Sequence, residues 1–122
     1  NSWAQTKKVD YDFSKLNYNM LSAQIFNIIL DTSKYEGKTI KISGEFQSFE
    51  YEENGQTKRD FSCVTMDATA CCATGLDFVL QGNAKFPDDY PAISSKITIV
   101  GTLKTFEVDG VSYTRLENCV FE

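Results

Sequence analysis

The apolar positions of this chain change period once. Between 19 and 33, Leu21, Ile25, Ile28 and Ile29 fall at i, i+4, i+7 and i+8, lining one face of a helix that Asn17 or Asn19 would cap. "SKYEGK" ends that pattern, because Gly37 can take the left-handed conformation that stops a helix. From about 38 the period becomes two, with Ile40, Ile42, Gly44 and Phe46 on one face and Lys41, Ser43, Glu45 and Gln47 on the other. The spacing predicts a first strand over about 38–51 and a hairpin tip at Asn54-Gly55. A second strand follows through "KRDFSCVTM" and a third through "LDFVLQG", joined by "DATACCATG". After the turn-rich "NAKFPDDYPAISS", a fourth strand runs through Ile97, Ile99, Gly101 and Leu103, turns at Asp109-Gly110 and returns as a fifth to about Val120.

The two hairpins echo one another. "TIKISGEFQSFE" at 39–50 matches "KITIVGTLKTFE" at 96–107, and "RDFSCV" at 59–64 matches "RLENCV" at 115–120. Gly44 answers Gly101 and Cys63 answers Cys119, and a glycine midway along a long strand permits the sharp coiling that a small barrel needs. Two curved hairpins flanking a lone strand predict a mainly β fold, a five-stranded OB-like barrel preceded by one N-terminal α-helix. A generic five-strand meander with a helical lid is the plainer alternative. On either reading 17–122 is one domain and 1–16 an N-terminal arm or tether, in which Trp3 is a docking anchor or part of a leader.

Charge and missing residue types narrow the function. Twelve Lys+Arg against seventeen Asp+Glu give a formal charge of −5 without a basic run, which disfavours a phosphate backbone as partner. With no His, the commonest general base and zinc ligand is absent, and with it Ser-His, Cys-His and His-metal catalysis. Asp88-Asp89 in "FPDDYP" lacks the alternating oxygen ligands of a calcium loop and reads as a turn. No catalytic residue is assigned. The longest apolar run, Ile28-Ile29-Leu30, is far short of the ~20 residues that span a bilayer.

The four cysteines leave three readings open: a disulfide, a soft-metal or redox thiolate site, or packed apolar thiols. Cys119, at the far end of the fifth strand, is expected to be a lone core-facing thiol. A bridge from Cys63 to Cys71 or Cys72 is feasible and would contribute about 2 to 3 kcal/mol, whereas Cys71 to Cys72 would close a strained ring. The metal reading gathers Cys63, Cys71 and Cys72 with Asp67 as a fourth ligand and would select zinc or copper, although this spacing fits no zinc pattern. For ligand binding, an OB-like barrel uses the face of its second and third strands and the adjoining rim. Tyr51, Arg59, Phe61, Asp77 and Tyr113 are the candidates there, with Cys63, Cys71 and Cys72 beside them; the aromatics would stack on a base or a sugar.

Two stretches carry a resemblance. "YEGKTIKISGEF" resembles the Y-x-G-K-x-(V/I)-x-(V/I)-x-G opening of bacterial OB-like domains from secreted and lipid-anchored proteins. "DATACCATGLDFVL" is similar to the Cys-Cys loop of proteins from Gram-positive gut anaerobes, and a related Cys-Cys-Ala loop occurs in the accessory subunit of a proposed two-component permease. The resemblance implies an extracytoplasmic, cell-surface or secreted location, and a lipid tether outside the given residues, in keeping with a chain that opens on Asn1-Ser2 without Met. It assigns no activity; by analogy of fold the chain is expected to be a non-enzymatic binding or accessory module whose partner is a small ligand or a membrane or permease-associated protein. A thiolate metal or redox component and a nucleic-acid-binding domain are the alternatives, the latter disfavoured by charge.

Overall fold

The computed structural model describes residues 8–122; Trp3 and the first seven residues of the expected arm lie outside them. The chain order is β1 (Tyr11–Phe13), α1 (Tyr18–Leu30), a single turn α2 (Thr32–Tyr35), β2 (Thr39–Glu53), β3 (Gln56–Met66), β4 (Ala73–Leu80), β5 (Lys96–Val108) and β6 (Val111–Phe121). The protein is mainly β. Among the described residues six strands are present where the alternation predicts five, the addition being β1, which pairs in parallel with β2 from Tyr11↔Ile40 to Phe13↔Ile42. The expected arm therefore contributes sheet: Asp10 exchanges backbone and side-chain hydrogen bonds with Thr39, and Phe13 is buried. Three residues are too few for a period to register in the sequence.

The other five strands close on themselves in the order β2-β3-β4-β6-β5, with β5 returning to β2 along Thr39↔Thr102 to Glu45↔Lys96. Only β4 and β6 within that ring run parallel. Two antiparallel hairpins flanking one lone strand, with the third and fifth strands of the ring parallel, is the connectivity an OB-like barrel requires. Alternation along β2 turns Ile40, Ile42 and Phe46 inward, and β5 does the same with Ile97, Ile99 and Leu103; all are buried. Both hairpins turn on two residues at positive φ, Asn54 (52°) with Gly55 (76°) and Asp109 (52°) with Gly110 (81°). That is the type I′ geometry whose twist matches the strands it joins.

Helix α1 packs on β4. Asn17 caps it by accepting from the Met20 N–H at 2.9 Å. Leu21 and Ile28 are buried and Ile25 packs beside them, but Ile29 is 61% exposed, so the buried stripe is narrower than the pattern implies. Gly37, at φ 79°, makes the turn into β2 as expected.

A cluster of aromatic rings packs around Phe46 and Phe61. Phe61 and Tyr90 stack at 4.2 Å, Phe46 lies at 5.6 Å from Tyr90, and Phe86 closes on Phe61 at 5.6 Å. Phe86 and Tyr90 come from the 81–95 connection, so the "FPDDYP" turn packs two rings onto Phe46 and Phe61. Truncating Phe46, fully buried at the centre of this stack, is expected to cost about 3 to 5 kcal/mol.

Candidate functional site

Beyond the closed part of the barrel the two hairpins continue as arms. The first consists of β2 from Ser48 and β3 up to Phe61, and the second of β5 from Lys104 and β6 up to Arg115. Pairing between β3 and β4 stops at Ser62↔Asp77, and pairing between β4 and β6 begins only at Phe78↔Leu116. The arms are thus free of a third strand, and between them lies a cleft of about 720 Å³ with Asp77, Phe78 and Val79 as its floor.

Each arm lines the cleft with aromatic and charged groups. From the first come Tyr51, Glu53, Lys58, Arg59, Asp60 and Phe61; from the second, Phe106, Val108, Tyr113, Thr114 and Arg115. Tyr51 (38% exposed) and Tyr113 (48%) leave ring surface open to solvent. Tyr113 stacks on Phe106, its register partner, at 5.7 Å and 26°. Arg115 lies over the same Phe106 ring at 4.4 Å, and Arg59 over Phe86 at 4.3 Å. Such stacking holds a guanidinium flat and leaves its edge to donate.

The lining charges balance, with Lys58, Arg59 and Arg115 against Glu53, Asp60 and Asp77. Most are already engaged. Lys58 Nζ reaches Glu53 at 2.8 Å; Arg59 donates to Ser48 Oγ (2.9 Å) and pairs with Glu50 (3.2 Å); Arg115 Nε donates to Glu117 (2.8 Å). Ser62 donates to Asp77, and Tyr51 donates to Asp60 at 3.3 Å. Desolvation first, and Asp60 second, raise the Tyr51 hydroxyl above its ordinary value, so at neutral pH it is a donor. The hydrogen bond to Glu53 likewise raises Lys58. The cleft offers aromatic faces between neutralised donor and acceptor pairs.

All five of the non-cysteine residues expected at the binding face, Tyr51, Arg59, Phe61, Asp77 and Tyr113, line this cleft. Sequence reasoning missed Lys58, Phe106 and Arg115. The echo between "RDFSCV" and "RLENCV" aligns Arg115 with Arg59, so a signal for it exists in the sequence.

The cysteines are a correction. Cys63 is fully buried and faces the core opposite Leu76, whereas Cys71 and Cys72 are exposed in the β3–β4 connection, and all four thiols are free. No bridge from Cys63 to the loop exists, nor are Cys63, Cys71, Cys72 and Asp67 gathered as a metal set; among the described residues no group of three or more such ligands forms. The physical reason is register. Cys63 stands three residues before Met66, the last position of β3, about 10 Å of strand, and the side chain of Cys63 is committed inward. Burial pushes both the Cys63 and Cys119 thiols up to about 12, which keeps them protonated and inert. Cys119 is core-facing as expected.

Asp67 organises the loop instead of serving a thiol. Its Oδ1 accepts from the N–H of Cys71 (2.9 Å) and of Cys72 (3.2 Å), and its carboxylate accepts from the Thr69 hydroxyl (3.1 Å). The Cys72 and then the Cys71 N–H lower its carboxyl below the usual range. Asp67 N–H donates to Cys72 O at 3.0 Å, and Ala70 takes the left-handed conformation at φ 57° to complete the turn.

No protein-family model and no curated protein matches the chain. Among solved structures, similarity is found to one from Klebsiella pneumoniae subsp. pneumoniae MGH 78578, described as a "putative nucleic acid-binding lipoprotein". It shares 16% identity and superimposes with a TM-score of 0.55, over 100% of this chain and 98% of that one. The likeness is one of fold. No helix of the described residues is long and apolar enough to cross a membrane.

Proposed function

We propose that this chain is a non-enzymatic OB-like binding module that acts outside the cytoplasm and holds a neutral, ring-bearing ligand, such as an uncharged oligosaccharide, in the cleft between its two arms. The observation that carries the reading is the pairing of open aromatic faces, Tyr51 and Tyr113, with charged groups already neutralised by neighbours. Hydroxyl and amide groups can be satisfied by such pairs without any charge being left alone, and rings stack on the tyrosines. A phosphate chain would have to pull Lys58, Arg59 and Arg115 from their carboxylates, in a protein of net charge −5. The extracytoplasmic placement is supported by the resemblance to secreted and lipid-anchored domains and by the fold shared with a lipoprotein. A permease-associated partner fits the same placement.

Nucleic acid is the second reading, favoured by the description of the structural neighbour. Binding assays separate the two. The proposal expects an N-acetylglucosamine oligomer or a neutral glucan to bind with little dependence on salt, and an oligothymidylate to show no retention at low ionic strength. Oligothymidylate binding that weakens steeply with salt, with no saccharide bound, would replace the first reading by the second.

A further inference from the structure

The three cations that line the cleft are not equally occupied. Lys58 Nζ is held by Glu53, and Arg59 has one terminal nitrogen on Ser48 Oγ and the other on Glu50. Arg115, which the echo aligns with Arg59, engages only its Nε, on Glu117 at 2.8 Å. Neither of its terminal nitrogens has a partner among the described residues, and the side chain is 38% exposed. The stack on Phe106 at 4.4 Å fixes the plane of the guanidinium, so its outer edge is a fork of donors held in one orientation. On the same face of β6, two residues and about 7 Å along the strand, stands the open ring of Tyr113.

We propose that Arg115 is the specificity-determining residue of the cleft and that the ligand it selects is an N-acetylated amino sugar. The acetamido carbonyl accepts from the open edge of the guanidinium while the pyranose ring stacks on Tyr113. This assignment depends on the cleft being a saccharide site. The chemistry of the edge decides the acceptor. A guanidinium donates and never accepts, so it matches a group that only accepts; a sugar hydroxyl brought to it would still need an acceptor for its own proton, whereas an amide carbonyl would not. Glu117 already balances the Arg115 charge, and Lys58 and Arg59 have carboxylates of their own. A uronate carboxylate would therefore add a negative charge that no lining cation is left to meet. The acetamido arm leaves a pyranose close to the plane of the ring, so a sugar lying flat on Tyr113 can direct it along the sheet face toward Arg115.

The test is calorimetric titration of the full chain with three hexamers: N-acetylglucosamine, glucose in the same linkage, which has a hydroxyl where the other has an acetamido group, and galacturonate. The N-acetylglucosamine hexamer is expected to bind about 10-fold more tightly than the glucose hexamer, the weight of one hydrogen bond to a charged donor, and the galacturonate hexamer more weakly than either. Arg115→Met and Arg115→Lys, checked for folding by circular dichroism, should each bring the ratio of the two neutral hexamers toward one, Lys because it restores the charge without the fork. Arg59→Lys on the other arm, where both terminal nitrogens already have partners, should lower both affinities and keep the ratio. Equal binding of the two neutral hexamers by the unaltered chain, a ratio that survives Arg115→Met, or tightest binding of galacturonate would each overturn the assignment while leaving a saccharide cleft in place. No binding of any hexamer would overturn the cleft reading and the assignment together.

Discussion

The two arms of the cleft carry echoing sequences, yet the glycine at the bend of each solves a different problem. A Cβ at Gly44 would run into the backbone of Val64 on β3, the partner of the next residue, Glu45; a Cβ at Gly101 would run into the Sγ of Cys119. In the first hairpin the strands themselves approach too closely for a side chain. In the second, a register shift between Val100 and Thr102 opens the ladder, and the Cys119 thiol fills the space above the glycine. The same contrast holds at the arginines: Arg59 leans on Phe86, borrowed from the 81–95 connection, while Arg115 leans on Phe106 of its own arm. Echoing sequence has produced two arms of similar outline whose internal support differs. The first is braced by the rest of the molecule and the second by itself.

That contrast can be broken by substitution. Gly44→Ala is expected to show the largest effect, a loss of about 3 kcal/mol in urea unfolding at unchanged m, because backbone cannot step aside. Gly101→Ala should cost about 1 to 3 kcal/mol. Adding Cys119→Ala should recover part of the Gly101→Ala loss, with a coupling of about 0.5 kcal/mol or more, and none of the loss at Gly44. Equal coupling at both glycines would mean that the arms are supported alike.

Alkaline pH should act next. Cys63 and Cys119 both have folded values of about 12, raised by burial, so the unfolded chain gives up their protons first as pH rises. Stability is then full below the unfolded value near 9 and falls toward 12, by about 1.4 kcal/mol per pH unit for each thiol in that window. Unfolding midpoints taken between pH 8 and 11 check this, and Cys119→Ala should lessen the slope. A slope unaltered by that substitution would mean that the buried thiols do not set it.

Smaller effects sharpen the roles of the arms. Tyr51→Ala and Tyr113→Ala, one on each arm, should each weaken binding of an N-acetylglucosamine oligomer by about 10-fold, the worth of one aromatic contact, while changing stability by less than about 1 kcal/mol. Loss of binding from one arm only would reduce the cleft to a single wall. Lys58→Met, which removes the exposed pair with Glu53, should leave the unfolding midpoint nearly unchanged and weaken saccharide binding, because Glu53 is then unpaired in the cleft.

Much of this architecture is legible in the residues alone. Alternation places the core faces of β2 and β5, Asn54-Gly55 and Asp109-Gly110 mark the tips, and the face of the barrel groups Tyr51, Arg59, Phe61, Asp77 and Tyr113. What escapes is long-range. β1 is three residues whose pairing depends on Thr39 being in place, and Ile29 shares the period of the helix without sharing its contact. The thiols mislead because proximity in sequence between Cys63 and Cys71 ignores the inward commitment of one side chain and the outward turn of the other. Arg115 is overlooked because the glycines and cysteines of the echo are its conspicuous members, although the arginines align as well.

If the cleft is the binding site, the two arms receive one ligand between them. Amide chemical shifts of the ¹⁵N-labelled chain, followed during titration with an N-acetylglucosamine hexamer, test this most directly. Residues 51–61, 77–79 and 106–115 should move together along a single binding curve. Shifts confined to one arm or to the 67–72 loop, or no shift at any concentration, would contradict it.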